Sequence, residues 1–462
     1  MDYGESLFPN GGNHQLRVDY KSGFPKIEVN NTSIDLECQG ICPTMNDDQT
    51  GELLFYTNGR LLMNRLGELM MNGDSFPPNL VTLSAYAPWA GHDFYNHGFI
   101  LPDLNNTNIY NYYYIDYLTQ FGGEYWLDAH TTSLYASKID ISKKNGLGEV
   151  VEKNIPILLR DSTKGYTSFW PIRHANGRDW WFVSTLAGSN TYIRLLLSPD
   201  KLDFNFPEIN MPGPVHDAEA WIRSVSKDGT KIALASRTGC WVYDFDRCTG
   251  QMSNPIEITS SVSDPINNNF TFIYSIAFSD NNRYLFLTNS ELNKPILDRN
   301  SVLRFDLWAS TPKMTIDTIF SMDQASDLAN YYLVIENLFY LPTGQLGYCG
   351  QSWKRFHVMP YTDSTSIILD TNFVNWDYDP TIFRMNRNNS SPNYYLGPID
   401  GSSCDTLGIN NNPLAYWRYD RRPNPLEIKF VDLTYYEPMG LWGRAIKFIA
   451  APLTSFCASR HL

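Results

Sequence analysis

Short apolar runs separated by Gly, Asn, Asp and Pro follow one another along most of the chain. Apolar residues at the helical spacing i, i+3, i+4, i+7 are almost absent, whereas short runs of aliphatic, β-branched and aromatic residues recur. The clearest runs are 52–57, 110–115, 180–184, 231–235, 241–245, 284–288 and 302–307. This pattern predicts an all-β protein built from short strands.

The strands recur as larger units. Residues 226–246 combine a turn, Asp228-Gly229, with two strands, and residues 279–306 and, more weakly, 341–348 follow the same pattern. Asp-Gly or Asn-Asn supplies the positive-φ residues of a tight hairpin turn, and the strand after it is apolar on both faces. One small sheet cannot hide both faces from water, so several must pack in a ring. We recognise six such units and expect the two chain ends to pair as another, which predicts a seven-bladed β-propeller.

Composition and charge narrow the possible functions. The 462 residues include 36 Lys+Arg and 49 Asp+Glu, a net charge of −13, and this acidity argues against a nucleic-acid partner, since binding phosphates needs positive charge. A hydrophobic content of 43% excludes a disordered chain. No apolar run reaches the length of a membrane helix, so membrane insertion is not expected.

Three further stretches stand in a characteristic order. They are Gly51-Glu-Leu-Leu-Phe-Tyr-Thr-Asn-Gly59, Arg173-His-Ala-Asn-Gly-Arg-Asp-Trp-Trp181 and Ser391-Pro-Asn-Tyr-Tyr-Leu-Gly-Pro398. Together with 64–73, 134–154 and 401–408 they resemble extracellular β-propeller proteins of Bacteroidetes, of the kind linked to gliding motility and type IX secretion. The resemblance implies a propeller at 14–422, preceded by an extension at 1–13.

The same resemblance implies an Ig-like PKD module after the propeller, and residues 423–462 would be its truncated start. After Trp442 the sequence departs from the PKD pattern, and shifted codons can spell something close to that pattern. We therefore expect a frameshifted tail, with a divergent natural tail as the alternative. The N-terminus lacks the pattern of a secretory signal, so an extracellular or cell-surface location rests on the resemblance, and a cytoplasmic location is the alternative.

Seven cysteines are present, and Cys38 and Cys42 are the expected local disulfide. Cys240 and Cys248 flank one predicted strand, which at about 3.3 Å per residue holds them too far apart to bond. Setting aside Cys457 in the tail leaves six, an even number compatible with pairing in an oxidising compartment. Free buried cysteines are the alternative.

Three histidine-containing stretches supply the candidate binding residues. Each stretch also has a structural alternative. In chain order these are a hydrogen-bonded loop, a hairpin turn with aromatic packing, and contacts that brace neighbouring blades. The candidates are His92, Asp93 and His97; His174, Asn176 and Trp180; and His216, Asp217 and Glu219. No catalytic residue, metal or cofactor is expected, because the chain has no nucleophile elbow, zinc-ligand spacing or phosphate-binding loop.

These observations favour a non-enzymatic binding, adhesion or scaffold module of a larger secreted or cell-surface bacterial protein. Its expected partner is a protein or glycan at a propeller face. A propeller fold also hosts enzymes, so a lyase or hydrolase acting on polysaccharide is the first alternative, and a cytoplasmic scaffold is the second. Carboxylates or histidines clustered at one mouth of the central channel would favour the enzyme.

Overall fold

The structure is a computed structural model that describes most of the predicted strands and many of the turns between them. The described residues are 2–5, 14–19, 26–31, 43–47, 50–76, 98–118, 130–159, 166–167, 169–186, 188–199, 201–203, 206, 208–213, 222–236, 239–260, 271–291, 300–321, 335–340, 345–350, 355–360, 362, 370–375, 392–409, 411, 417–421, 427–432 and 447–449.

The described strands form antiparallel sheets in chain order. The first sheet holds β1 Asp2–Glu5, β2 His14–Asp19 and β3 Lys26–Asn31. Blade 1 holds β4 Thr44–Asn46, β5 Leu53–Thr57 and β6 Leu62–Asn64. Blade 2 holds β7 Gly98–Pro102, β8 Ile109–Leu118, β9 His130–Asp140 and β10 Glu149–Leu158. Blade 3 holds β11 Trp170–Arg173, β12 Trp180–Thr185, β13 Thr191–Leu197, β14 Leu202–Asp203 and β15 Ile209–Asn210.

The remaining sheets follow the same plan. Blade 4 holds β16 Ile222–Val225, β17 Lys231–Ser236, β18 Gly239–Asp246 and β19 Gln251–Ser260. Blade 5 holds β20 Thr271–Phe278, β21 Tyr284–Glu291, β22 Asn300–Asp306 and β23 Asp317–Ser321. Blade 6 holds β24 Ile335–Tyr340, β25 Leu346–Gly350, β26 Arg355–Met359 and β27 Asp370–Asn375. The last sheet holds β28 Trp417–Arg421, β29 Glu427–Asp432 and β30 Lys447–Ile449.

The protein is therefore an all-β propeller, but the predicted number of seven blades is wrong, since its described strands form six. The expected seventh blade needed the two chain ends to pair with each other. Instead β2 pairs with β1 and β3, and β29 pairs with β28 and β30. Each terminal segment thus satisfies both edges of its central strand locally, and the described pairings leave no edge of β2 or β29 for the other end.

Apolar clusters fill the spaces between successive blades. The second strand of a blade contributes to both of its neighbours, because successive side chains of a strand point to opposite faces. In β12, Trp180 packs in the cluster between blades 2 and 3, while Trp181 packs between blades 3 and 4. Both indoles are at most 1% exposed. This two-sided burial explains why the strands read as continuous apolar runs.

The first hairpin turns of blades 4 and 5 meet at one end of the propeller. Between blades 4 and 5, the Asn282 side-chain amide donates to the Asp228 carboxylate (2.6 Å), and Lys227 lies 3.4 Å from the Asp280 carboxylate. Strands alternate in direction, so the hairpin between the third and fourth strands of each blade lies at this same end. Two short 3-10 turns, Lys144–Gly146 and Pro312–Met314, lie in such hairpins. In the described part of the chain, no helix has the length and apolar character needed to cross a bilayer.

Candidate functional site

Residues 392–409, which we call the strap, follow blade 6 in sequence but bind across blades 2, 3 and 4. The Tyr394 hydroxyl donates to the Ile100 carbonyl in β7 (2.7 Å). The Ile399 N–H donates to the Ala175 carbonyl in the first turn of blade 3 (2.9 Å). The Asn393 side-chain amide donates to the Lys227 carbonyl in the first turn of blade 4 (2.8 Å). The strap therefore covers the turn end of these three blades.

Arg247 lies in the turn between β18 and β19. It joins the strap to the first turns of blades 3 and 4. Its Nε donates to the Arg173 carbonyl (2.9 Å), and its Nη2 donates to the carbonyls of Gly397 (2.6 Å) and His174 (3.3 Å). Its Nη1 donates to the Asp228 carbonyl (3.3 Å). A planar guanidinium presents donors in a fixed fork, which suits several fixed carbonyls better than a flexible ammonium does.

Arg247 is buried, with 4% of its surface exposed. Burial lowers the pKa of Arg247 to about 10, and the Asp228 carboxylate opposes that shift. The guanidinium therefore stays charged at neutral pH. Its own carbonyl accepts from the Trp181 indole (2.8 Å) and the Ala175 N–H (3.0 Å), so both ends of the residue are fixed to blade 3.

Tyr394 anchors the strap between blades 2 and 3. Its ring meets the Trp180 ring edge-to-face at 6.2 Å, and burial raises the pKa of Tyr394 far above its ordinary value. The Arg173 guanidinium lies 4.1 Å from the Trp180 ring centre and donates to the Tyr394 carbonyl (2.9 Å). The predicted candidate Trp180 is thus a buried support for the strap.

His174 and Asn176 shape the turn on which the strap rests. The Asn176 N–H donates to His174 Nδ1 (3.0 Å), so the proton of the neutral ring is on Nε2, which donates to the Cys248 carbonyl (3.1 Å). Burial lowers the pKa of His174, which favours this neutral form. The Asn176 side chain accepts from the Asp179 N–H (3.0 Å) and donates to its carboxylate (2.8 Å).

Gly177 completes this turn and contacts the strap directly. Its φ of +77° is one that residues with a β-carbon rarely adopt, and an added Cβ would lie 2.5 Å from Pro398 Cδ. The structure thus brings together the predicted candidates His174, Asn176 and Trp180 under the strap, and each has a structural partner there. A ligand-binding role for them stays a prediction.

A disulfide between Cys248 and Cys404, with Cα atoms 5.6 Å apart, fastens the strap to blade 4. This pair could not be predicted from the sequence, because 156 residues separate its members and no spacing rule connects them. Cys240 is a free thiol buried in the cluster between blades 4 and 5, and burial raises its pKa to about 12.

Other predicted residues lie outside the described residues, and their roles stay predictions. These are His92, Asp93, His97, His216, Asp217 and Glu219, and the candidate pair Cys38 and Cys42. Within the described ranges, no three side chains of His, Cys, Asp or Glu converge as a set of metal ligands.

Comparison with known proteins finds only distant similarity to solved structures. No family model and no curated protein matches the chain. It is similar to a solved Lactobacillus plantarum protein, with 11% identity and a TM-score of 0.44 over 84% of this chain and 97% of the other. A periplasmic gluconolactonase from Pseudomonas aeruginosa has 10% identity and a TM-score of 0.40 over 84% and 96%. A β-propeller domain from Myceliophteria thermophila has 10% identity and a TM-score of 0.35 over 75% and 93%.

Replacing the central arginine should destabilise the strap end. Arg247→Met removes a charged donor from four carbonyls, and we expect the free energy of unfolding to fall by at least about 3 kcal/mol. Arg65→Met is the control, because Arg65 is exposed and donates to one carbonyl, of Gly146. It should change stability by less than about 0.5 kcal/mol in the same urea titration. Equal losses in the two variants would contradict the role given to Arg247.

Removing the disulfide should release the strap. In the Cys248→Ser/Cys404→Ser double variant we expect chymotrypsin to cleave after Tyr394 or Tyr395 at least about tenfold faster, because the cross-link is worth about 5 kcal/mol in the chain-entropy model. Cleavage after Trp308, which is 62% exposed, serves as the internal control and should keep its rate. Mass spectrometry of the fragments measures both. An unchanged rate in the strap would show that the disulfide does not hold it.

The buried neutral His174 should make stability depend on pH. Its pKa is lowered by folding, so below about pH 6.5 the unfolded chain binds a proton that the folded protein does not. The contribution of His174 to the free energy of unfolding should therefore decrease as the pH falls from 6.5 to the folded-state pKa, and remain constant below it. His174→Gln should flatten this part of the profile in urea titrations. A profile with the same slope as the wild type would rule out this contribution.

Proposed function

We propose that this propeller is a binding module that works outside the cytoplasm, as part of a larger secreted or cell-surface protein. We further propose that it belongs with the extracellular Bacteroidetes propellers it resembles. In support, the matching motifs coincide with the β5 strand and its turn, the first turn of blade 3 and the strap. A protein or glycan is the ligand of such a module.

The Cys248–Cys404 disulfide is the observation that supports a location outside the cytoplasm. Disulfides persist in oxidising compartments, whereas cytoplasmic reductants keep most thiols reduced. This bond lies in a half-buried position at the surface of the strap end, which cytoplasmic reductants could reach. A cross-link on which the attachment of the strap depends suits a protein that remains in an oxidising environment.

The chemistry of the strap end favours binding over catalysis. The guanidiniums of Arg173 and Arg247 are engaged with backbone carbonyls, and His174 is held neutral between two backbone groups. The Asp179 carboxylate accepts from the Asn176 side-chain amide of its own turn. These groups are committed to holding the strap, which suits a rigid scaffold that presents a surface.

The test combines binding with turnover. The full chain is run through native gels that contain soluble polysaccharides, and the same mixtures are assayed for new reducing ends and for the ultraviolet absorbance of unsaturated products. We expect retardation in at least one gel without product. Time-dependent release of products would instead establish a lyase or hydrolase and overturn the binding module.

The location is tested separately on the native protein. Source cells are quenched in acid, free thiols are alkylated, and peptides are mapped without reduction. The proposal expects a linked peptide that contains Cys248 and Cys404. Alkylation of both thiols would overturn the extracellular location and favour a cytoplasmic scaffold.

A further inference from the structure

The hairpin between β22 and β23 carries three large apolar side chains that are exposed to solvent. Trp308 is 62% exposed, Met314 76% and Ile316 57%. Trp308 is the one tryptophan among those with described side chains that is exposed; Trp170, Trp180 and Trp181 are buried, and Trp241 is half-buried. Large apolar groups that cluster at a surface often mark a binding site. We call these three residues the platform.

A stack of charged and aromatic groups holds the indole in place. The Arg283 guanidinium lies 5.3 Å from the Trp308 ring centre and 4.9 Å from that of Tyr284. A second guanidinium, of Arg304, lies 4.7 Å from the Tyr284 ring. Tyr284 is 4% exposed, so the stack extends from the core to the surface and ends in an exposed indole.

Hydrogen bonds fix the backbone beneath the indole. The Trp308 N–H donates to the Asp306 carboxylate (3.0 Å), which also receives Arg283 Nη2 (2.7 Å). The Asp306 N–H donates to the Thr315 hydroxyl (2.8 Å), and that hydroxyl donates to the Pro312 carbonyl (2.7 Å). A ligand that stacks on this ring does not have to order it first, which lowers the entropic cost of binding.

The size of the platform fits a small rigid unit rather than a protein surface. Three partly exposed side chains present a few hundred Å², whereas a stable protein interface buries about 800 Å² on each partner. A pyranose ring has an apolar C–H face that matches an indole, and hydroxyls at its edge that need donors and acceptors. Arg283 and Asp306 place such groups beside Trp308. A sugar ring therefore fits the platform.

The charges around the platform select a neutral sugar. Among the described residues, the cations near the platform are already paired with carboxylates: Arg283 with Asp306 (2.7 Å), Arg304 with Asp317 (2.7 Å) and Lys313 with Glu257 (2.7 Å). An acidic polymer would have to break one of these pairs to gain a counter-ion, and it would approach a chain with a net charge of −13.

We propose that Trp308 is a stacking platform for a hexopyranose unit of a neutral polysaccharide, with Arg283 and Asp306 contacting its hydroxyls. The site lies on the hairpin between β22 and β23 of blade 5. This inference rests on the proposed binding function and names its ligand class and contact residues.

The test uses gels that contain mixed-linkage β-glucan, galactomannan or dextran, with polygalacturonate as an acidic comparison. We expect the full chain to be retarded in at least one neutral gel. Trp308→Ala should weaken that binding at least about tenfold, and Arg283→Lys should weaken it several-fold, because it removes the stacked fork but keeps the charge. Leu159→Ala is the control: Leu159 is 61% exposed, and its replacement should leave binding unchanged.

Thermal melts come first, and those of Trp308→Ala and Leu159→Ala should coincide with the wild type, since both side chains are exposed. Arg283 is half-buried, so the melt of Arg283→Lys separates a loss of binding from a loss of stability. Wild-type affinity in Trp308→Ala would overturn the platform while leaving the binding function in place. Retardation in no neutral gel, or in polygalacturonate alone, would overturn the neutral-sugar assignment. Product release, measured in the earlier assay, is the separate outcome that overturns the proposed function itself.

Discussion

The strap end of this propeller depends on one buried guanidinium. Arg247 contacts four carbonyls from three segments that are far apart in sequence, and each carbonyl needs a donor because water is excluded there. The charge in turn needs all of them, because the Asp228 carboxylate only partly compensates for its desolvation. The two blade turns and the strap therefore stabilise one another, and separating any of them leaves buried polar groups without partners. This end of the molecule should therefore unfold cooperatively.

The strap also changes how the order of the blades is maintained. A propeller must resist separation of its blades, and two-sided apolar burial provides most of that resistance through non-directional contacts. The strap adds directional ones: Tyr394 reaches blade 2, Ile399 bonds to blade 3, and Cys404 is bonded covalently to blade 4. A segment from the end of the propeller sequence thus fixes the relative positions of three early blades.

Local chemistry could be predicted from the sequence, and long-range pairing could not. Asp228-Gly229 and Asn176-Gly177 predicted their hairpin turns, and the continuous apolar runs predicted strands that are buried on both sides. The prediction of a seventh blade was wrong because neither chain end contains a pattern that shows which strand it pairs with. The partner of Cys248 was missed for the same reason. Trp308 was missed because an exposed indole and a buried one look the same in an apolar pattern; only Arg283 and the fold around it distinguish them.

The disulfide has a mechanical consequence for a chain held at both ends. Tension applied to the termini runs from the N-terminal side to Cys248, crosses the sulfur bridge to Cys404, and continues toward the C-terminus. Residues 249–403, which include all of blades 5 and 6, lie in a covalent loop outside that load path. A pull that unravels blades 1 to 3 would leave blade 5 unstretched, with Trp308 still in place. Reduction of the bridge would place the whole chain under load.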